Sequence, residues 1–381
     1  MFIFREAALS DEDAILDLAR HLDTLNLPPD RGFIRDLLER SARSFSGGEH
    51  PDAFDPERRF LFVLAGDDDR VVGTSMIHAQ HGTPREPHVF FRVDHEERYA
   101  ELRLNRRGNE QRHVHMVHTM LTMGLTYQGP TEVGGLVLHP ELRKHPGKLG
   151  RLLSLGRFVY MATARGWFRD RVLAELLPPL SRNADGTRSQ LWDALGHRFT
   201  GLTYDEADDL SRDDKEFIWK LFPAMPVHAS LLPLDVQDII GRVGASTRGA
   251  KRLLESIGFE YSGRVDPFDG GPHFEVSTDE IVLVRDAKRM RPRVATAAQL
   301  EAGSPGIIAR SQGSAPHFRA VWSRAHCDDQ AGEVALPPEV LEALGLADDE
   351  EAEVVVARRP PRPVGDRLTA PGTGILPEPA P

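Results

Sequence analysis

Glu132-Val133-Gly134-Gly135-Leu136-Val137-Leu138-His139-Pro140-Glu141-Leu142-Arg143-Lys144-His145-Pro146-Gly147-Lys148-Leu149-Gly150-Arg151 sets an apolar strand, a basic glycine loop and the first turn of a helix end to end. The strand Val133 to Leu138 stops at His139-Pro140, because proline cannot donate to a ladder and biases its predecessor toward extended geometry. The loop carries Arg143, Lys144, Lys148 and Arg151, with Gly147 and Gly150 letting the backbone approach a ligand and turn its N–H groups inward. A helix from Leu149 to about Arg165 follows, with Leu149, Leu152, Leu153, Gly156 and Tyr160 on one face. Its free N-terminal amides point into the loop. Peptide dipoles and flexible cations thus act on one bound anion, each dipole contact contributing roughly 0.3–1 kcal/mol when exposed.

The chain has no GxxxxGK[ST] string and no GxGxxG after a strand, which removes the P-loop and dinucleotide readings. What remains, Arg-Lys-x-x-Gly-x-x-Gly between strand and helix, resembles the pyrophosphate loop of the GCN5-related N-acyltransferases. The plain alternative is a basic surface loop capping a buried helix. Ser246 to Phe259 reads as a second helix, with Ala250, Leu253, Leu254 and Ile257 on one face and Gly258 at C′. It resembles the closing helix of the same superfamily, which lies near coenzyme A.

A narrower resemblance rests on motifs taken in order: Phe90-Phe91-Arg92, Leu136 to Lys144, Arg157-Phe158, Val172-Leu173-Ala174-Glu175, Leu191 to Phe199, Asp238 to Val243, and Asp266-Pro267-Phe268-Asp269-Gly270-Gly271-Pro272. Together they resemble the arginine N-succinyltransferases over roughly residues 1 to 358. The resemblance implies transfer of a succinyl group from succinyl-CoA to the α-amine of L-arginine, with succinyl-CoA as co-substrate and no permanently bound cofactor. It places the acyl-CoA contact at Leu136, with Val137 and Leu138 on the same strand, and the pyrophosphate contact at Arg143, Lys144, Gly147, Lys148, Leu149, Gly150 and Arg151. It also implies a proton-donor histidine just after the Gly-x-Val triplet. Here Gly241-Arg242-Val243 is followed by Gly244.

Attack of an amine on a thioester needs a neutral amine, a stabilised oxyanion and a leaving thiolate. A general acid adds about 10²–10⁴-fold and is not indispensable; positioning and backbone contacts supply the rest. Glu175, at the end of an apolar strand, is a candidate to deprotonate the incoming ammonium or pair with it, against a plain strand-end role. His228 is a candidate proton carrier or a satisfied loop histidine. Asp266 and Asp269 are candidate partners for a guanidinium, or turn aspartates bonded to their own backbone. Arg92 is a candidate for the succinyl carboxylate, or a surface ion pair. The run Arg112-His113-Val114-His115-Met116-Val117-His118 raises a metal hypothesis, which is set aside because no carboxylate or thiolate partner stands at ligand spacing. No metal is expected.

The formal charge is −11, from 47 Lys and Arg against 58 Asp and Glu, with cations gathered at the loop, so nucleic acid is an unexpected partner. The single cysteine, Cys327, excludes a disulfide framework and a cysteine-ligated metal. Neither a signal peptide nor an apolar run of membrane length is read, and a cytoplasmic enzyme is expected.

The expected fold is α/β of the α+β kind: the GCN5-related acyltransferase fold with a mixed, mostly antiparallel sheet, plus a small C-terminal β domain. Phe2 to Arg5 opens as a strand, Asp11 to His21 and Asp30 to Phe45 follow as helices with Ser10 as an N-cap, and Phe60 to Ala65 with Val71 to Ala79 form a hairpin. The acyltransferase domain is placed at 1–291 with a helical insertion at about 185–243, the β domain at 292–358, and a proline-rich disordered tail at 359–381. A homo- or hetero-oligomer is expected. The alternatives are an acyltransferase using another acyl group or amine, and a catalytically silent acyl-CoA-binding subunit.

Overall fold

The computed structural model describes residues 1–20, 27–47, 53–84, 86–103, 111–183, 186–211, 215–346 and 353–358. Its strands in the first half are β1 Ile3–Glu6, β2 Arg59–Ala65, β3 Val71–His78, β4 His88–Arg103, β5 Gln111–Thr126, β6 Thr131–Leu138 and β7 Arg171–Glu175. A two-stranded ribbon, β8 Ser181–Asn183 and β9 Gly186–Arg188, follows. Then come β10 Val227–His228, β11 Glu260–Val265, β12 Pro272–Ser277, β13 Lys288–Val294, β14 Ser304–Ser311, β15 Phe318–Asp328, β16 Glu333–Leu336 and β17 Val354–Arg358. The fifteen-stranded sheet runs β10-β5-β4-β11-β12-β7-β6-β3-β2-β1-β15-β14-β17-β13-β16. Its pairings are antiparallel except β6–β7 and β13–β16, so the sheet is mixed.

Strand β2 reads Phe60-Leu61-Phe62-Val63-Leu64 because both of its faces are covered. Leu61 and Val63 pack under α1 Glu12–Ala19 and α2 Arg31–Phe45, through Ile15, Ile34 and Leu38. Phe60, Phe62 and Leu64 face α3 Leu149–Thr163, through Leu152, Phe158 and Tyr160. Gly156 lets α3 settle on β1, since a Cβ there would stand 2.5 Å from the Phe4 ring. Asp30 caps α2, accepting from the Phe33 amide at 2.7 Å. The expected cap at Ser10 is not used: a 3₁₀ turn, Leu9–Asp11, precedes α1, and Asp11 accepts the Ala8 amide at 2.8 Å.

A third core forms where short helices between Trp192 and Ile239 cover β4, β5 and β11. Trp192 stacks on Phe268 at 4.8 Å, tying this helical portion to the Asp266–Gly270 turn. Near the C-terminus, β13, β17, β14, β15 and β16 close on themselves through the β15–β16 pairing, enclosing a core of Ile308, Val321, Val334, Leu336 and Val356. This barrel is continuous with the main sheet, because β15 also pairs with β1. The tail from Arg359 lies outside the described residues.

Candidate active site

Strands β6 and β7 pair in parallel only at Thr131↔Val172 and Glu132↔Leu173. Beyond those pairs they part, while β6 stays joined to β3 and β7 to β12 along their lengths. The gap opens toward Leu138 on one side and Glu175 on the other. Strand β6 also bulges against β3 between Thr74 and Met76, where Gly135 has φ +56° and a Cβ would meet the Met76 side chain at 2.4 Å. Bulges re-aim a strand, and only glycine takes this backbone cheaply. Two side chains secure the bulge: Thr74 Oγ1 donates to the Gly135 carbonyl at 3.1 Å, and Arg157 Nη1 to the Gly134 carbonyl at 3.2 Å.

The Leu138 side of the gap leads into the basic loop and α3. No side chain caps the α3 N-terminus, so its first amides are available to an anion. Lys148, just ahead of α3, takes the left-handed conformation at φ 49°. Strained non-glycine backbone of this kind clusters at ligand clamps. Arg143, Lys144 and Lys148 are exposed and have no carboxylate at ion-pair distance among the described residues. Leu136 and Leu138 are half-buried and Val137 is buried.

The Glu175 side holds a cluster that sequence spacing did not reveal. Glu175 is opposite His273 in the β7–β12 register, and its Oε1 lies 3.4 Å from His273 Nε2, 3.5 Å from His88 Nε2 and 3.9 Å from His81 Nε2. His88 opens β4, and His81 sits in the turn after β3, pinned by its amide to the Pro130 carbonyl at 2.7 Å. His81 Nδ1 meets Glu132 Oε2 at 2.6 Å, and His78 approaches the same oxygen at 3.5 Å. Burial lowers His88 to about 3 and also lowers His273. Burial raises the Glu132 carboxyl, but His81 and His78 outweigh it and hold it at about 2. Burial likewise opposes ionisation of Glu175, yet His273, His88 and His81 keep it well below the usual carboxylate range. His81 is raised, since Glu132 and Glu175 overcome its burial.

Asp266 is brought to this cluster, its carboxylate within 4.8 Å of the ligand atoms of Glu175 and His273. Both aspartates also serve their turn. Asp266 Oδ1 accepts the Phe268 and Asp269 amides at 2.7 and 3.1 Å, and Asp269 Oδ1 accepts Gly271 at 2.7 Å. Burial, then Glu175, raises Asp266 to about 7; burial, then Asp266, raises Asp269.

Other predicted residues lie elsewhere. His228 is exposed on β10, five strands from β7, with its ring against His118 at 5.8 Å. Arg92 is exposed and paired with Asp94 at 2.7 Å. His113 and His115 ride the outer part of the β4–β5 hairpin; His115 stacks on Tyr99 at 4.4 Å and meets Glu97 at 3.2 Å. Gly244, at the position of the histidine implied by the resemblance, donates to the Leu177 carbonyl at 2.8 Å, two residues beyond Glu175.

Residues 2–283 match the family model described as Arginine N-succinyltransferase beta subunit. The chain belongs to the arginine N-succinyltransferase family. Within that family it is 29% identical to the arginine N-succinyltransferase of Photorhabdus laumondii over 93% of this chain and 98% of the relative. It is 31% identical to the arginine N-succinyltransferase subunit beta of Pseudomonas aeruginosa, covering 77% of this chain and 82% of that one. The solved arginine/ornithine succinyltransferase subunit AI of Pseudomonas aeruginosa superposes with a TM-score of 0.73 at 25% identity, covering 94% of this chain and 98% of that chain.

Proposed function

We propose that this protein is a succinyl-CoA-dependent acyltransferase that succinylates the α-amine of L-arginine by direct transfer, without a covalent enzyme intermediate. The observation that carries this reading is the parting of β6 from β7 after two paired residues, with a basic helix start on one side and a carboxylate cluster on the other. The gap suits a pantetheine arm entering as a strand-like insert, which is the arrangement of the GCN5-related acyltransferase fold. Succinyl-CoA sets its pyrophosphate on the α3 amides with Arg143, Lys144, Lys148 and Arg151, and its thioester beside Leu136, Val137 and Leu138.

The cationic acceptor enters from the Glu175 side, where Glu175 supplies negative charge and the Asp266 and Asp269 carboxyls, which ionise more readily beside a bound cation, meet its guanidinium. Its ammonium pairs with the ionised Glu175 and gives up its proton through water, the neutral amine attacks the thioester carbon, and CoA leaves as thiolate. His228 and Arg92, as they lie, are not assigned a step. The same reading has residues 1–291 performing the chemistry, the barrel as a small C-terminal unit, and the protein working in the cytoplasm as a homo- or hetero-oligomer. No helix among the described residues is long and apolar enough to cross a membrane. Exposed Tyr99, Leu102, Met116 and Val117 on the β4–β5 hairpin suit contact with another subunit.

A second reading, with another acyl group or amine, is favoured by Gly244. Thiol release from succinyl-CoA or acetyl-CoA, each with arginine or ornithine, decides between them. Turnover with succinyl-CoA and arginine is the expected result. Turnover only with another pair would establish the second reading, and tight CoA binding without turnover would identify a silent subunit.

A further inference from the structure

We propose that His81, His88 and Glu175 form a binding site for one divalent transition-metal ion of the zinc type, with Glu132 orienting His81. The three donor atoms lie within 4.8 Å of one another, and the two Nε2 atoms stand 3.9 and 3.5 Å from Glu175 Oε1. Ligands about 2.0–2.2 Å from a tetrahedral ion are roughly 3.3–3.6 Å apart. The two imidazole–carboxylate separations therefore shorten by at most about 0.6 Å to meet an ion, while the two imidazole donors, within 4.8 Å of each other, draw together around it.

Three further observations support a cation site here. His88 is 1% exposed, and neither of its ring nitrogens has a hydrogen-bond partner, although buried polar atoms normally find one. His81 gives its Nδ1 to Glu132, which leaves Nε2 as the ring atom on the Glu175 side, able to exchange its proton for a metal ion. A carboxylate on the far nitrogen of an imidazole is the usual outer support of a metal ligand. Finally, the carboxylates of Glu132 and Glu175 have imidazoles alone and no lysine or arginine at ion-pair distance among the described residues. Buried anions need a counter-charge, and a divalent ion supplies it.

The ligand chemistry narrows the ion. Two imidazoles and one carboxylate suit zinc, cobalt or nickel, whereas magnesium and calcium prefer oxygen alone. Three protein ligands leave an open position, as in catalytic rather than structural zinc sites. The side chains of His81 and Glu175 remain 18% and 28% exposed, so that position can be reached by water. His273 approaches Glu175 Oε1 from β12 at 3.4 Å, and its buried ring nitrogens likewise have no hydrogen-bond partner. When bound, such an ion lowers the pKa of its water to about 7, at the end of β7 where the proposed acceptor amine must lose its proton. The inference thus deepens the acyl-transfer reading, but the binding evidence does not depend on turnover.

The test uses the full chain, stripped with chelator and dialysed, then titrated with zinc and with cobalt while bound metal is counted by mass spectrometry and the cobalt spectrum is recorded. About one equivalent is expected, with a tetrahedral cobalt spectrum. Glu132→Gln should weaken binding by about 10–100-fold. His81→Asn, at the more open of the two imidazoles, should abolish stoichiometric binding with its melting profile retained. The variant His113→Ala with His115→Ala should bind as the parent does. Less than a tenth of an equivalent bound, or binding indifferent to His81→Asn, overturns the site and leaves a proton-sharing cluster. Stoichiometric metal without succinylation of arginine would retain this inference and defeat the functional reading; succinylation by protein that binds less than a tenth of an equivalent would do the reverse.

Discussion

Gly244 is locked against the end of β7: its amide bonds the Leu177 carbonyl at 2.8 Å, and a Cβ at this position would stand 2.5 Å from the Pro178 carbonyl oxygen. A contact that short against backbone forces the chain to move. The histidine implied here by family resemblance therefore does not fit, and this chain gathers its imidazoles two residues upstream, around Glu175. Gly244→His should lower the unfolding free energy by about 1–3 kcal/mol, the usual cost of overpacking, without raising kcat. Denaturant unfolding and thiol-release kinetics check it; a faster enzyme with unchanged stability would show that the backbone can yield and the donor be restored.

The loop before α3 offers a different kind of test. Arg143 and Lys148 are exposed and lack carboxylate partners among the described residues, so removing them costs the fold little. The double variant Arg143→Ala with Lys148→Ala should weaken CoA binding by at least about tenfold while leaving the melting temperature nearly unchanged. The loss should shrink at high ionic strength, because exposed charges are screened. Calorimetric titration at low and high salt reads both effects, and unaltered affinity would mean that the phosphates bind elsewhere.

Much of this seat was legible because it is local. Leu136 to Arg151 writes strand, proline stop, cations and helix face in consecutive residues, and hydrophobic periodicity carries such information directly. The histidine cluster was not legible, since His81, His88, Glu175 and His273 come from four segments that meet only when β4, β12 and β7 share a sheet. By contrast His113 and His115, close in sequence and on one strand face, looked like ligands yet lie on an exposed arm. Barrel closure through β15 and β16 was hidden for the same reason, being a long-range pairing. The Ser10 cap failed because Ser10 lies inside the 3₁₀ turn Leu9–Asp11 that precedes α1, where Asp11 bonds back to the Ala8 amide.

Acid sensitivity should centre partly on Glu12. This side chain accepts Arg35 Nε at 2.8 Å and Arg31 Nη1 at 2.5 Å, joining α1 to α2. The bonds from Arg35, then Arg31, hold its carboxyl below the usual value. A depressed folded-state pKa adds stability above the unfolded pKa, about 4.3 for glutamate, and that stability is lost as pH falls through the folded value. Glu12→Gln should therefore melt lower than the parent near neutral pH, and the two curves should converge in strong acid. A gap of constant size across the whole pH series would assign the effect to packing instead of charge.

Arg157 is the most unusual charge in the fold: 3% exposed, with no carboxylate at ion-pair distance among the described residues. Burial lowers its pKa to about 9. Its guanidinium instead donates to the Ser154 carbonyl at 3.0 Å, to Ser154 Oγ at 3.2 Å and to the Gly134 carbonyl at 3.2 Å, so it clamps α3 to the bulge of β6. An unpaired buried charge opposes folding, so the value of Arg157 lies in fixing the strand edge beside the gap. Arg157→Met keeps most of the volume and removes the charge, while leaving the Gly134 carbonyl to cost about 1–3 kcal/mol if it stays unsatisfied. The two effects oppose each other, so the unfolding midpoint should move little while kcat/KM for succinyl-CoA falls at least about tenfold through loss of positioning. Steady-state kinetics beside denaturant unfolding separates the outcomes: a large stability loss with intact kcat/KM would make Arg157 a structural clamp only.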